Sequence, residues 1–596
     1  MLYQIQNAGL DSVVEGANEI SADHFGARYG SFRSEDRFFD QVEDFDGGLI
    51  VWPGGSLAER SVDRYGFEHD GLYNSAEYGD RPGIEEMMSY AVENDKALSV
   101  VLPSSRYVGE DDLLRAEINE FLADLLGGEY GELPRKMIFE IGNEYYANYD
   151  GANEVEKAAA YGKIANIYGE EIARVDEIVG GLPENIEFSF QAGRSAEANQ
   201  AIIDEMGEDA LSMVDMVSHH RFSARIEGAD RHIDELEASL DQWSDAVEAS
   251  GEEAPGLYLS AYNAASLSRE EALDKYIESL GDEGKGLSRE DFDLEGRSDE
   301  DFEEFYQSML DDRPHGIEHA ELLLEMYSQY SGLGVEAAGV YGWDMVHSGR
   351  SSLEGADGES YVFAGGAMQD MMAESLVGAR VLDWYQDQDN VGNDENEDAS
   401  AVYGFESEDK LVMFLSNPNV SGDPFEVRIN LDDLGINIEH VWGERLVAEA
   451  PEDWQNLFGV AESPNVDQSA EEESFAVAIR SAFDPQIEDG QLVIKVEQDQ
   501  IVRLSFAKNE AGFHEIAGWH DGMGVEIIDD DMIEQAPSID DLIPSVEDQW
   551  FDDEEDQMQE DGEAEASERS GLGDLFDDLD LSSALLAIGL AFFGIF

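Results

Sequence analysis

The chain has 596 residues, with Lys+Arg 34 against Asp+Glu 137 and a formal net charge of −103 at pH 7. That length exceeds one small core and points to two or more domains, and so acidic a surface repels phosphate backbones and anionic headgroups, so nucleic acid is not expected as a partner. There is no cysteine, which excludes disulfides and thiolate metal sites. The acidity fits either a saline or calcium-rich setting, where cations screen the self-repulsion, or general solubility.

The opening stretch MLYQIQNAGLDSVVEG has neither a basic n-region nor an apolar h-region, so no Sec-type signal peptide is expected. Residues 1–20 read as an N-terminal segment, a candidate strand of a later β-sandwich. From 21 to 377, short β-like runs alternate with amphipathic helical stretches. The candidate strands are His24–Ala27, Gly48–Trp52, Leu98–Leu102, Met137–Ile141, Ile186–Gln191, Val214–Ser218, Leu257–Ser260 and Ala338–Gly342. Between them, Leu114, Ile118, Phe121, Leu122 and Leu125 fall on one helical face, as do Tyr161, Ile164, Tyr168 and Ile172. Eight strands, most followed by a helix, predict a parallel (β/α)₈ barrel rather than an open sheet.

The stretch from about 265 to 315 is acidic and helical, an expected insertion beside the barrel mouth. From 378 to 509 the pattern changes to alternation with turn signals, as in KLVMFLSNP, FEVRINL and QLVIKVEQDQIVRLSFA, which predicts an antiparallel β-sandwich. Residues 510–596 read as an acidic, disordered tail. It ends in the uncharged run Ala584–Phe596, shorter than the ~20 residues of a membrane span, so no stable span is expected.

The fourth candidate strand runs into MIFEIGNEYYANYD, which puts Asn143 and Glu144 at the strand end, where a (β/α)₈ barrel builds its active site. A carboxyl group beside Tyr145 and Tyr146 would be partly desolvated and hold its proton near neutral pH, as a general acid/base acting on a glycosidic oxygen needs. Arg106, after the third strand, has a guanidinium suited to a substrate carboxylate or to a loop salt bridge. Trp52 and Trp343 offer faces to sugar C–H surfaces or fill the barrel wall. His219 and His220 are adjacent on a strand, so only one can face the site, and no third ligand makes them a metal centre.

Gly142-Asn143-Glu144 resembles the fourth-strand motif of clan A glycoside hydrolases, the group of xylosidases, arabinofuranosidases and heparanase-like glucuronidases. Trp52-Pro53-Gly54-Gly55 resembles that group's second-strand Arg-x-Pro-Gly-Gly, with Val51 where the Arg would stand. MVDMVSHHRF resembles the sixth-strand segment, with His220 toward the site and Phe222 where an aromatic hydroxyl often sits. YGWDMVHSG resembles the eighth-strand end, with Trp343 as the sugar-stacking Trp. The resemblance implies a barrel followed by a β-sandwich, no cofactor, and a poly- or oligosaccharide partner bound through Asn143, Trp52, His220, Tyr262, Trp343 and Arg106. An extracellular or cell-surface setting without a Sec signal peptide is expected, with the cytoplasm left open. Weakly bound calcium is the one cation expected, on the acidic helices, although no EF-hand pattern is present.

One departure governs the function. The clan's nucleophile is a Glu at the end of the seventh strand; here LYLSAYNAAS places Ala261 in that position. A methyl group can neither attack an anomeric carbon nor stabilise an oxocarbenium ion. Three readings follow: a non-hydrolytic glycan binder, an enzyme with a substitute carboxylate (Glu59, Asp344 or Asp23), or an engineered inactivation. A structural protein on a barrel scaffold is a further alternative.

Overall fold

The computed structural model of the protein describes residues 2–5 and most of 13–522; 30–34, 61–81, 344–348, 383–400, 418–424, 432–439, 523–596 and some shorter stretches lie outside the described part. Strand β1 (Leu2–Ile5) is followed by β2 (Gly26–Arg28), β3 (Leu49–Trp52), β4 (Ala97–Leu102), β5 (Met137–Ile141), β6 (Ile186–Gln191), β7 (Met216–Ser223), β8 (Gly256–Ala264) and β9 (Val335–Val340). Strands β2 to β9 pair in parallel and close into a barrel, β2 joining β9. Each strand is buried on both faces, which is why they read as nearly unbroken apolar runs. Alternate residues divide between two cores: Leu49, Val51, Ala97, Val101 and Ile138 fill the interior, while Ile50, Trp52, Leu98, Val100 and Phe139 face the surrounding helices.

The barrel is the one predicted, with β5 and β6 at their expected bounds and shifts elsewhere. Strand β2 begins later because Ser21 caps a 3₁₀ turn over Ala22–His24. Strands β7 and β8 run past Ser218 and Ser260 to Ser223 and Ala264, which brings His219–Phe222 and Ala261–Asn263 onto strands. Register shifts between Ser218 and His220, and between Leu259 and Tyr262, set Ala261 beside His220. Such bulges re-aim side chains near sites.

A short hairpin follows the barrel, β10 (Ser352–Glu354) with β11 (Ser360–Val362). The next strands are β12 (Arg380–Val381), β13 (Ala401–Glu406), β14 (Lys410–Ser416), β15 (Phe425–Ile429), β16 (Val441–Glu449), β17 (Val477–Phe483), β18 (Gln486–Glu488), β19 (Gln491–Val496) and β20 (Ile501–Ala507). They form a six-stranded sheet ordered β12-β13-β14-β20-β16-β17 and a four-stranded sheet ordered β1-β15-β19-β18. Strand β14 is apolar throughout and divides between two cores: Leu411, Met413 and Leu415 enter the sandwich core, whereas Val412 and Phe414 join the barrel's helical core. The six-stranded sheet is therefore buried on both sides. Its charged residues are paired: Arg503 reaches Glu374 at 2.8 Å and Glu444 at 2.6 Å, and Arg480 contacts Asp370, Glu374 and Glu444.

Both flanks carry more structure than the sequence shows. The insertion after β8 holds helices Arg269–Ser279 and Glu300–Asp311 with a core of their own, Leu267, Leu273, Phe302, Tyr306 and Leu310. It docks on the sandwich's helix Ser469–Glu473, where Arg297 meets Glu471 at 2.5 and 2.9 Å. At the other end, disorder was expected from residue 510, but Glu510–Gly522 is a helix. Ile516 is buried, Phe513 packs edge-on to Trp442, and Trp519 lies under Lys410 and Arg503. Apolar residues in an acidic setting hold this turn of chain down. The rest of the predicted tail, with its apolar end, lies outside the described residues.

Candidate functional site at the barrel mouth

The chain leaves β5 through two left-handed residues, Gly142 (φ 77°) and Glu144 (φ 45°). Glycine is required at 142, since a Cβ there would lie 2.4 Å from Ser104 Oγ. Glu144 in that region is strained by about 1–3 kcal/mol, a cost that persists only where neighbours over-determine the backbone. They do so here. Glu59 accepts from Asn143 N at 2.9 Å, Ser104 N at 2.9 Å, Ser104 Oγ at 2.6 Å and Ser105 N at 2.7 Å. Asn148 Nδ2 donates to Asn143 O at 2.8 Å, across the short helix Tyr145–Asn148 that Glu144 caps.

The carboxylate so presented is already engaged. Tyr146 OH donates to Glu144 Oε1 at 2.8 Å, and His220 Nδ1 lies 3.1 Å from the same oxygen. Behind the ring, His220 Nε2 faces Glu140 Oε1 at 3.5 Å, and Ser260 Oγ donates to that oxygen at 2.8 Å. Arg28 completes the floor: Nη1 donates to Ser260 O at 2.5 Å, Nη2 to Asn143 Oδ1 at 3.1 Å, and Nη1 is 3.9 Å from Glu140 Oε2. Glu140 and Arg28 are buried, whereas Glu144, Tyr146 and His220 are half-open.

The charge state follows from these contacts. Burial alone pushes the Glu144 carboxyl up, but the hydrogen bond and charge of His220, then Tyr146 OH and Arg28, outweigh it and hold it below its ordinary value. Burial likewise disfavours a charged His220, yet Glu140 and Glu144 on its two nitrogens raise it. The contacts therefore favour an ionised Glu144 facing a protonated His220 ring, whereas the sequence pointed to a proton-holding carboxyl. The sequence placed a desolvated carboxyl at 144 and His220 toward the site, but not the contact between them across 76 residues. His219 is buried on the other side of the strand, against Ser239 Oγ at 3.2 Å, and is held neutral by burial.

Three expected contact residues are corrected. Trp52 is fully buried in the helical core, so its ring offers no face to a ligand. Trp343 is buried against Phe45, with ring centroids 4.3 Å apart, and Nε1 points to Gln41 O. Tyr262 faces outward, its OH paired with Gln369 of helix Ala364–Leu376. Outward positions on a barrel strand pack under helices, and strand position alone does not tell the two faces apart. Asn143 does lie at the mouth, but its Oδ1 serves Arg28. Arg106 lies in the turn after β4, its guanidinium 5.2 Å from the Tyr107 ring centre.

The sequence reading missed three features. Arg28 is the register partner of Val51, so a guanidinium stands at the same level of the barrel one strand over from where it was sought. Glu140 is the single charged residue within β5, a carboxylate in an otherwise apolar parallel strand, and that was a readable signal. Tyr341 is half-buried and meets Phe222, a residue the sequence had already placed at the site, edge to face at 5.5 Å. After burial, the Glu144 charge is the largest influence raising the Tyr341 phenol, so that ring lies within electrostatic reach of the site.

None of the substitute carboxylates is placed to face Glu144 among the described residues. Glu59 spends both oxygens on the four donors above, and Asp23 pairs with Arg135 at the opposite end of the barrel. Asp344 lies outside the described part. Among the described residues no group of three or more His, Asp or Glu could hold a metal ion, and no helix is long and apolar enough to cross a membrane.

A half-open carboxylate thus stands at the C-terminal end of the fourth barrel strand, the face on which (β/α)₈ barrels build their sites, in a barrel followed by a β-sandwich. No protein-family model and no curated protein matches the chain in sequence. Among solved structures it is similar to a family 51 α-L-arabinofuranosidase from Bifidobacterium longum, with a TM-score of 0.52 and 12% identity over 83% of this chain and 98% of that one. It is also similar to a GH51 arabinofuranosidase from Xanthomonas axonopodis pv. citri, with a TM-score of 0.50 and 12% identity over 83% and 98%. At that identity the likeness establishes the fold, which is that of these glycosidases.

Proposed function

We propose that this protein binds a poly- or oligosaccharide across the barrel mouth and does not hydrolyse it by the two-carboxylate route. The observation that carries this reading is the pairing of Glu144 with His220 and Tyr146, while the methyl of Ala261 stands beside His220 on the next strand. Retaining hydrolysis needs a second carboxylate about 5–5.5 Å from the first, and a general acid must hold its proton. Glu144 has the opposite charge state, which suits it to accept hydrogen bonds from sugar hydroxyls. Phe222 and Tyr341 supply apolar faces next to it, in the place first given to Trp52 and Trp343.

The test pairs a glycan array with a panel of activated aryl glycosides. Binding without product, weakened by Glu144→Gln and by Tyr341→Ala, is the expected result. Turnover abolished by Glu144→Gln would overturn the binding-only reading, and no binding to any glycan would overturn the glycan reading as a whole.

A further inference from the structure

The carboxylate beneath the mouth has no role in the reading above. Glu140 is fully buried, on an inward position of β5, and its Oε1 sits between Ser260 Oγ and the His220 ring. His220 therefore lies between two carboxylates, Glu144 at Nδ1 and Glu140 at Nε2. A neutral imidazole has one N–H and one lone pair, so one of its nitrogens would turn a lone pair toward a carboxylate oxygen. Only the imidazolium donates from both. A half-turn of the ring about Cβ–Cγ would bring Cδ2 and Cε1 to the places of the two nitrogens and lose both contacts.

The surroundings favour this arrangement from every packed element. Arg28 on β2 lies 3.9 Å from Glu140 and moderates its negative charge. Tyr146, after β5, donates to Glu144. Tyr341, after β9, is within reach of both Glu144 and Arg28. On β7 itself, His219 is neutral, and Arg221 turns to Glu235 at 3.4 Å. On β8, Ala261 adds no charge and Ser260 adds a donor. The cluster Arg28–Glu140–His220–Glu144 then sums to zero, the arrangement that low-dielectric burial requires of charged groups.

We propose that Glu140 is a positioning residue that holds His220 as a two-sided donor from below, and so keeps Glu144 a pure hydrogen-bond acceptor at the mouth. The ligand selected at this point presents donors, sugar hydroxyls or an amino group, and a carboxylate-bearing sugar unit is rejected there. The selection rests on the glycan-binding reading; the state of His220 does not.

The experiment uses the full chain labelled with ¹⁵N-histidine, followed by two-bond ¹H–¹⁵N correlation from pH 5 to 9. The His220 signals are assigned by their loss in His220→Gln. In the wild type, both ring nitrogens should show the imidazolium pattern at pH 7, above the ordinary histidine value of about 6.5. In Glu140→Gln, whose amide oxygen still accepts from Ser260, the His220 midpoint should fall by about one pH unit or more, which is a tenfold change in its protonation equilibrium. A neutral His220 at pH 7 in the wild type, or an unmoved midpoint in Glu140→Gln, overturns the proposal, whether or not any glycan binds. Where glycan binding is found, a loss of discrimination against uronic-acid units in Glu140→Gln supports the selection, and unchanged discrimination refutes it.

Discussion

Glu59 shows how a carboxylate at a barrel mouth can serve the site without touching a ligand. Its two oxygens accept from four donors, of which three are backbone N–H groups of the β4 and β5 ends. In Glu59→Gln the oxygen that faces Asn143 N and Ser104 Oγ becomes an NH₂ group; the Ser104 hydroxyl can turn to accept from it, but Asn143 N loses its acceptor and faces another donor. A buried donor left unsatisfied costs about 1–3 kcal/mol. Urea denaturation followed by circular dichroism measures this directly. The same substitution releases Asn143 N, and with it the strained backbone at Glu144, so the His220 signals should shift as well. A loss below about 1 kcal/mol would refute the reasoning, because it would mean the donor finds another partner. A catalytic role for Glu59 would instead leave stability intact.

Three more outcomes are expected. Arg503→Met leaves the fully buried Glu444 with Arg480 as its remaining cation and should destabilise the fold by up to about 3–5 kcal/mol in the same assay; a neutral result would show that the pair is replaceable. Glu321 is buried on the helix Gly316–Ser331 near Glu325, Glu318 and Ser416, and burial raises its carboxyl from 4.5 to about 8. The folded chain then holds a proton that the unfolded chain has released, so stability is full below about pH 4.5 and falls as pH rises toward about 8, by up to about 1.4 kcal/mol per unit. Glu321→Gln should flatten that decline, and an unchanged slope would place the proton elsewhere. With a net charge of −103, the thermal midpoint should climb as salt is raised from 0.1 M to 1 M, which shortens the screening length from about 10 Å to about 3 Å. A flat or falling midpoint would show that the surface charge is locally compensated.

The sequence by itself determined the fold class, because periodicity is a local property. Eight apolar runs separated by amphipathic helices specify a barrel, and the short strand-like runs between turn signals from 378 to 509 specify antiparallel sheets. Glycine before Asn143-Glu144 likewise marked the strand end where the mouth forms. Only the tertiary structure decided which way side chains point and what faces what. Trp52 and Tyr262 lie on the outward face of their strands, while His220 and Ala261 were set side by side by register shifts that no local pattern encodes. The charge of Glu144 depends on His220, Tyr146 and Arg28, drawn from three parts of the chain. A charge state is a sum over neighbours in space, and those neighbours exist only once the barrel has closed.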